Sequence, residues 1–190
     1  FDVVFGRERL PKVGVPLDRR VGQLSGGQRA QVALCLALAK RPRLLLLDEP
    51  LASLDPLARR EFLSTMVDAV AETAMTVVLS SHLVTDLERV CDHLLVLHAG
   101  RVQVFAETDQ LLATHKILIG PGGPRRPKIA GVDEVVHATD AQRQSTLLVR
   151  TNAQAIEPAW EQRDVSLEDL VLAYLAANVD TPTDRQDLSA

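Results

Sequence analysis

The sequence predicts an α/β fold built on a parallel sheet, with a small α+β appendage behind it. Three observations carry this. Leu44-Leu45-Leu46-Leu47 is a short continuous apolar run bounded by Pro42 and by acids, the pattern of a strand buried on both faces. Thr76-Val77-Val78-Leu79-Ser80 is a second such run. Between them Asp55-Pro56 opens a helix, with Asp at the N-cap and Pro at the first helical position.

Taken in order, residues 1–24 read as irregular, broken by Pro11, Gly14 and Pro16. Ser25 and Gln28 form a capping box, and a helix runs from there through Ala39. Its residues Ala30, Val32, Ala33, Leu34, Leu36, Ala37 and Leu38 are apolar nearly all round, which predicts a buried helix. Arg41-Pro42 ends it. After the four leucines, the helix from Asp55 turns Phe62, Leu63, Met66, Val67 and Val70 inward. Thr85–Cys91 reads as a short amphipathic helix and Leu94–Leu97 as a third strand. Ala99-Gly100 turns the chain into Val102–Phe105, giving a hairpin. Residues 120–128 (Gly-Pro-Gly-Gly-Pro-Arg-Arg-Pro-Lys) read as a linker. Val132–Ala138 and Thr146–Arg150 read as strands, and Ser166 caps a helix that buries Leu167, Leu170, Val171, Tyr174 and Leu175. The expected division is therefore 1–119 for the α/β part, 120–128 for the linker, 129–179 for the appendage and 180–190 for a frayed tail.

Composition narrows the class. The 190 residues are 46% hydrophobic but only 3% aromatic, so the core is one of Leu, Val and Ala. A net charge of −4 argues against a general nucleic-acid binder, which needs a basic face. No apolar run approaches the roughly 20 residues of a membrane span. Cys35 and Cys91 sit in apolar patterns without metal spacing, so buried thiols of a reducing compartment are the main reading and a disulfide the lesser one. The chain begins with Phe, which suggests a fragment or a trimmed product.

The chemistry gathers at the ends of predicted strands. Ligands of open α/β sheets bind outside the carboxyl ends of the strands. Asp48 stands there, placed to hold a hydrated Mg²⁺, and Glu49 follows, placed to accept a proton from an attacking water. A polar strand end that meets solvent is the plainer alternative for this pair. Ser25-Gly26-Gly27-Gln28 combines a close-approach Gly-Gly with a helix N-terminus suited to phosphate, and an ordinary capping box reads equally well. His82 follows the second strand, where it either meets a phosphate or plays a structural part. Asp55 is a helix N-cap whatever else it does. His93, His98, His115 and His137 show no metal spacing.

Together these stretches resemble the nucleotide-binding domain of ABC-type ATPases, in order and spacing over roughly residues 20–105. Leu24-Ser25-Gly26-Gly27-Gln28 is similar to the family signature and Leu44–Asp48 to its Walker B strand. Glu49 falls at the catalytic carboxylate, Leu51–Asp55 at the D-loop and His82 at the switch histidine. The Ser166–Leu170 segment is more weakly similar to the end of bacterial drug- and antibiotic-export subunits. The resemblance implies part of a P-loop NTPase (RecA-like) parallel sheet core with a helical signature segment. It implies ATP and Mg²⁺ as cofactors, with Asp48 on the metal, Glu49 and His82 catalytic, and Ser25, Gly26, Gly27 and Gln28 on an ATP held by a partner. Asp55 would bridge the two halves. It also implies a second nucleotide-binding domain and an integral-membrane permease as partners, no nucleic acid, and a cytoplasmic place on the inner face of the cell membrane.

The family's P-loop, adenine-stacking aromatic and Q-loop Gln precede the signature and cannot be assigned here. Gly22 and Gly27 have P-loop spacing, but Gln28-Arg29 stand where Lys-Ser/Thr is required. The expected reason is a missing N-terminal part, whose loss would expose the sheet beside Leu44–Leu47. The first functional reading is thus ATP hydrolysis driving an exporter in a longer parent protein. The second is a catalytically incomplete module that completes or regulates a partner's ATP site. The third is a soluble ABC ATPase without a membrane partner.

Overall fold

The computed structural model describes residues 1–122, 129–141, 144–153 and 156–177. The chain divides into two compact units, Phe1–Val90 and Cys91–Ala190. Of the expected linker, residues 123–128 with Arg125, Arg126 and Lys128 lie outside the described residues, as does the tail from Asp180.

The first unit is a layer of helices on a two-stranded parallel sheet. Helix α1 (Val3–Arg9) sits in the stretch expected to be irregular; it forms because the Asp2 carboxylate caps it, accepting from the Phe5 N–H at 3.0 Å. Helix α2 (Gly26–Leu38) begins at the reciprocal box read from the sequence, with Gln28 N–H on Ser25 Oγ at 3.1 Å and Ser25 N–H on Gln28 Oε1 at 3.0 Å. Strand β1 (Leu44–Leu47) pairs in parallel with β2 (Thr76–Leu79), linked by helix α3 (Pro56–Thr73). The short helix α4 (Val84–Leu87) follows. The core joins Leu34 and Leu38 of α2, Leu45 of β1, and Phe62, Leu63, Met66 and Ala69 of α3, with Leu51 and Leu54 from the β1–α3 loop.

Three burial expectations need correction, the smallest of them Val67 of α3, which is 41% exposed. Strand β1 is buried on one face only: Leu45 is in the core while Leu44 and Leu46 are 53% and 68% exposed, and Val78 of β2 is exposed beside them. Helix α2 is likewise one-sided, burying Gln31, Leu34, Cys35 and Leu38 and exposing Leu36. The reason is shared: this unit packs helices against one side of the sheet, so period-two alternation decides which leucines are dry.

The second unit opens with a hairpin. Strand β3 (His93–His98) pairs antiparallel with β4 (Arg101–Glu107) across Ala99-Gly100, and both turn residues have positive φ, 48° and 74°, as a two-residue hairpin turn requires. The expected third strand thus pairs with the strand that follows it, in the hairpin read from the sequence. Helix α5 (Thr108–Thr114) leads to β5 (His115–Pro121), then β6 (Glu134–Ala141), β7 (Gln144–Arg150), β8 (Glu161–Asp164) and helix α6 (Leu167–Ala177). These four strands form one antiparallel sheet in the order β6-β7-β5-β8, with Leu118, Ile129, Leu147, Val149 and Trp160 as a core. Strand β5 runs through residue 119, where composition suggests a boundary. Ser166 caps α6 as expected, accepting from the Asp169 N–H at 3.1 Å.

Candidate functional site

Parallel pairing brings two strand ends together. Leu47 lies opposite Leu79, and the Ser80 N–H donates to the Leu47 carbonyl at 2.9 Å. Asp48 and Glu49 therefore leave β1 beside Ser80, Ser81 and His82 leaving β2. The Ser80 hydroxyl donates to Asp48 Oδ1 at 2.6 Å and accepts the Glu49 N–H at 2.8 Å. The Glu49 carboxylate Oε2 meets His82 Nδ1 at 2.8 Å. An ionised carboxylate only accepts, so Nδ1 is the protonated ring nitrogen of that pair. The Ser81 hydroxyl accepts the Leu83 N–H at 3.0 Å and fixes the turn that carries His82. All of this faces solvent: the side chains of His82 and Glu49 are 64% and 41% exposed.

Glu49 sits at φ 45°, in the left-handed region, without being glycine. Such a residue costs about 1–3 kcal/mol and persists only where neighbours hold it. Here the holders are Ser80 and a turn closed by the Ala52 N–H on the Glu49 carbonyl at 3.2 Å. Below that turn Leu51 is fully buried and Leu54 nearly so, which anchors the loop and leaves Ala52, Ser53 and Asp55 at the surface.

The second constellation lies where α2 and α3 begin. The Asp55 carboxylate caps α3, accepting the N–H groups of Leu57 and Ala58, each at 3.0 Å. A Cβ on Gly27 would lie 2.8 Å from the Ala58 Cβ, whereas one on Gly26 would meet nothing within 4 Å. Gly27 thus serves the packing of α2 on α3, and Gly26 faces open space. Ser25 and Gly26 are exposed. The first-turn N–H groups of Gly26 and Gly27 lack intrahelical partners and stand at the positive end of the helix dipole. Gln28 is committed inward: its Oε1 takes the Ser25 N–H and its Nε2 donates to the Gly14 carbonyl at 2.8 Å. No hydrogen bond or ion pair among the described residues joins this group to Asp48, Glu49 and His82.

Sequence reasoning missed the parts played by Ser80 and Arg59. Arg59 Nε donates to the Leu54 carbonyl at 2.9 Å and so ties the loop before Asp55 to α3. The signal for Ser80 was present, since a hydroxyl one residue past a parallel strand falls beside the acid ending its neighbour.

Residues 7–52 match the ABC transporter family model, a span that holds the Gly26-Gly27 corner, β1 and both acids. Over that span the chain is similar to ABC transporter sequences. The energy-coupling factor transporter ATP-binding protein EcfA2 of Symbiobacterium thermophilum is 46% identical over 115 residues, 60% of this chain and 40% of that protein. The molybdenum import ATP-binding protein ModC of Rhizobium meliloti is 34% identical over 177 residues, 89% of this chain and 49% of its own length. The thiamine import ATP-binding protein ThiQ of Salmonella choleraesuis is 40% identical over 97 residues, 51% of this chain and 41% of its own length. The chain thus spans half or less of these relatives. Among solved structures, cbiO1 from Clostridium perfringens, part of the ABC transporter complex cbiONQ, has a TM-score of 0.51 at 28% identity, covering 58% of this chain and 45% of that one. Over the part it covers, the chain therefore has the expected P-loop NTPase fold. ModC and ThiQ are named for import, and none of these names supports the expectation of drug export. No helix among the described residues is long and apolar enough to cross a membrane.

Proposed function

We propose that this chain carries the signature-bearing part of an ATP-binding subunit that powers an ABC transporter through a separate membrane permease. The observation that carries the reading is the shared strand end, where Asp48, Glu49 and His82 converge as a nucleotide's terminal phosphate would require. The import names of the relatives favour uptake over export.

The donor set suits Mg²⁺. Asp48 offers a carboxylate with one oxygen pinned by Ser80, a hard oxygen donor at the mouth of the sheet. No group of three or more His, Cys, Asp or Glu among the described residues forms a protein cage for a metal. Mg²⁺ fits such a place, because it keeps waters and takes one or two carboxylates plus phosphate oxygens. Bound there, it would neutralise charge on the phosphates. Asp48 holds it; Glu49, its carboxylate oriented by His82, polarises the attacking water; His82 stabilises charge on the γ-phosphate. Ser25, Gly26 and Gly27 present amides and a hydroxyl to an ATP held by a second nucleotide-binding domain, Gln28 bracing them, and Asp55 stands at the seam.

The test is a chimera in which residues 20–105 replace the matching segment of a P-loop-bearing ABC ATP-binding subunit. It should hydrolyse ATP, and Glu49→Gln should cut turnover by at least about 100-fold while ATP stays bound. Unchanged turnover in that variant would remove Glu49 from the chemistry.

A second reading applies to the 190 residues as they stand, favoured by the absence of any Gly-x-x-x-x-Gly-Lys-Ser/Thr in the sequence. The chain completes an ATP site whose phosphate cradle belongs to a partner. Micromolar ATP affinity of this chain alone would defeat it.

A further inference from the structure

We propose that Ser80 is a positioning residue, whose single hydroxyl holds the Asp48 carboxylate and the left-handed Glu49 backbone in one geometry and thereby sets Glu49 against His82. The inference rests on reading Asp48, Glu49 and His82 as one site. It adds a residue that no motif of the chain points to.

A serine hydroxyl has one proton and two lone pairs. Here the proton goes to Asp48 Oδ1 at 2.6 Å, and a lone pair receives the Glu49 N–H at 2.8 Å. The result is a chain from amide to hydroxyl to carboxylate, in which the charged end polarises the rest. One contact falls on the amide of the left-handed Glu49, at φ 45°, and the other on the side-chain carboxylate of the residue before it. That backbone conformation in turn decides where the carboxylate of Glu49 goes, and it goes to His82 Nδ1 at 2.8 Å. Ser80 reaches both acids because its own N–H is locked on the Leu47 carbonyl at 2.9 Å, so the register of β1 and β2 supplies the placement. The neighbouring serine acts elsewhere, since Ser81 Oγ accepts from the Leu83 N–H and belongs to the turn. Losing the Ser80 hydroxyl therefore frees Glu49 from its strained backbone and takes its carboxylate off His82, although Ser80 touches neither ring nor carboxylate of that pair.

The tautomer of His82 reads this directly, on the whole chain and without nucleotide. Histidines labelled with ¹⁵N are observed by long-range ¹H–¹⁵N spectroscopy at neutral pH, and the His82 signals are assigned by their loss in His82→Gln. In the wild type the Nδ1–H form should dominate. In Ser80→Ala the balance should reverse toward Nε2–H, the form imidazole prefers in water, and Ser80→Thr should restore the wild-type spectrum. Ser81→Ala, which loosens the turn without touching the acids, should shift the tautomer less than Ser80→Ala does. If Ser80→Ala does not fold, Ser80→Cys carries the same expectation of reversal, since a thiol donates weakly. A wild-type tautomer in Ser80→Ala, an alanine-like spectrum in Ser80→Thr, or an equal shift in Ser81→Ala would each overturn the proposal. Such a failure leaves the ATP reading intact, just as a failure of Glu49→Gln to slow the chimera leaves Ser80's placement intact.

Discussion

Alanine at position 27 tests the packing role assigned to the second glycine. The added Cβ would lie 2.8 Å from the Ala58 Cβ, against the 3.5–4.0 Å or so that two carbons prefer. The starts of α2 and α3 must then part by about 1 Å, or one of them must shift. Forced packing of this kind costs about 1–3 kcal/mol. Alanine also gains up to about 1 kcal/mol over glycine as a helix former, so the single variant gives a blurred answer. A double-mutant cycle with Ala58→Gly removes the blur, because each propensity term belongs to one site and cancels, while the clash needs both methyl groups. The expected coupling is about 1–3 kcal/mol, with Gly27→Ala more costly opposite Ala58 than opposite Gly. Urea unfolding followed by the helical circular dichroism signal measures all four corners. A coupling below about 0.5 kcal/mol, the scatter of independent sites, would show that the two helices do not meet there.

Asp55→Ala removes the oxygen that takes two N–H groups at the start of α3 and should cost about 1 kcal/mol in the same unfolding assay, with Asp55→Asn much milder; equal losses in both would point to charge rather than capping. Gly120→Ala drives a methyl into the ring of Trp160, which is only 7% exposed, and should cost about 1–3 kcal/mol. As Trp160 is the only tryptophan of the chain, its emission should shift to the red, and an unshifted spectrum would contradict the contact. His115 is buried, with Nδ1 bonded to the Leu111 carbonyl at 2.8 Å and Nε2 accepting from the Tyr174 hydroxyl at 2.9 Å. Burial holds its pKa below the ordinary 6.5, reinforced by Arg150 and opposed by the Leu111 carbonyl and by Glu134. Between the folded and unfolded values the unfolded chain binds the extra proton, so stability is full above about pH 6.5 and falls as pH drops toward the folded value. The urea midpoint of the wild type should decline from about pH 7.5 to about pH 5, and His115→Gln should flatten that decline; an identical slope in both would clear His115.

What can be read from the residues is whatever local chemistry dictates. The Ser25–Gln28 box, the Asp55-Pro56 start, the Ala99-Gly100 turn and the Ser166 cap each stand where short-range hydrogen bonds and φ preferences put them. Asp48, Glu49 and His82 are legible because they end apolar runs. Tertiary features escape. Nothing in Glu161-Gln162-Arg163-Asp164 alternates, yet it is strand β8, an edge of exposed polar residues whose ladder to β5 owes nothing to hydropathy. Strand β5 hides beside the Gly-Pro run that follows it. The exposure of Leu44 and Leu46 does not follow from the apolar run itself, which says a strand is suited to two covered faces, not that both are covered. Gly27 reads as a ligand-facing residue, and only its distance to Ala58 shows the packing duty.

The bare leucines of β1 also govern how the chain behaves in a test tube. Leu44, Leu46 and Val78 form a greasy stripe on a sheet with only two strands, while the whole chain carries a net charge of just −4. Covering a large aliphatic side chain is worth about 1.5–3 kcal/mol, so excluding water from that stripe is downhill by several kcal/mol. Electrostatic repulsion this weak does little to oppose it at ordinary ionic strength. Dilute solutions should stay clear and concentrated ones cloud, and exchanging Leu46 for lysine should raise the threshold while leaving the Ser80 hydrogen bonds as they are.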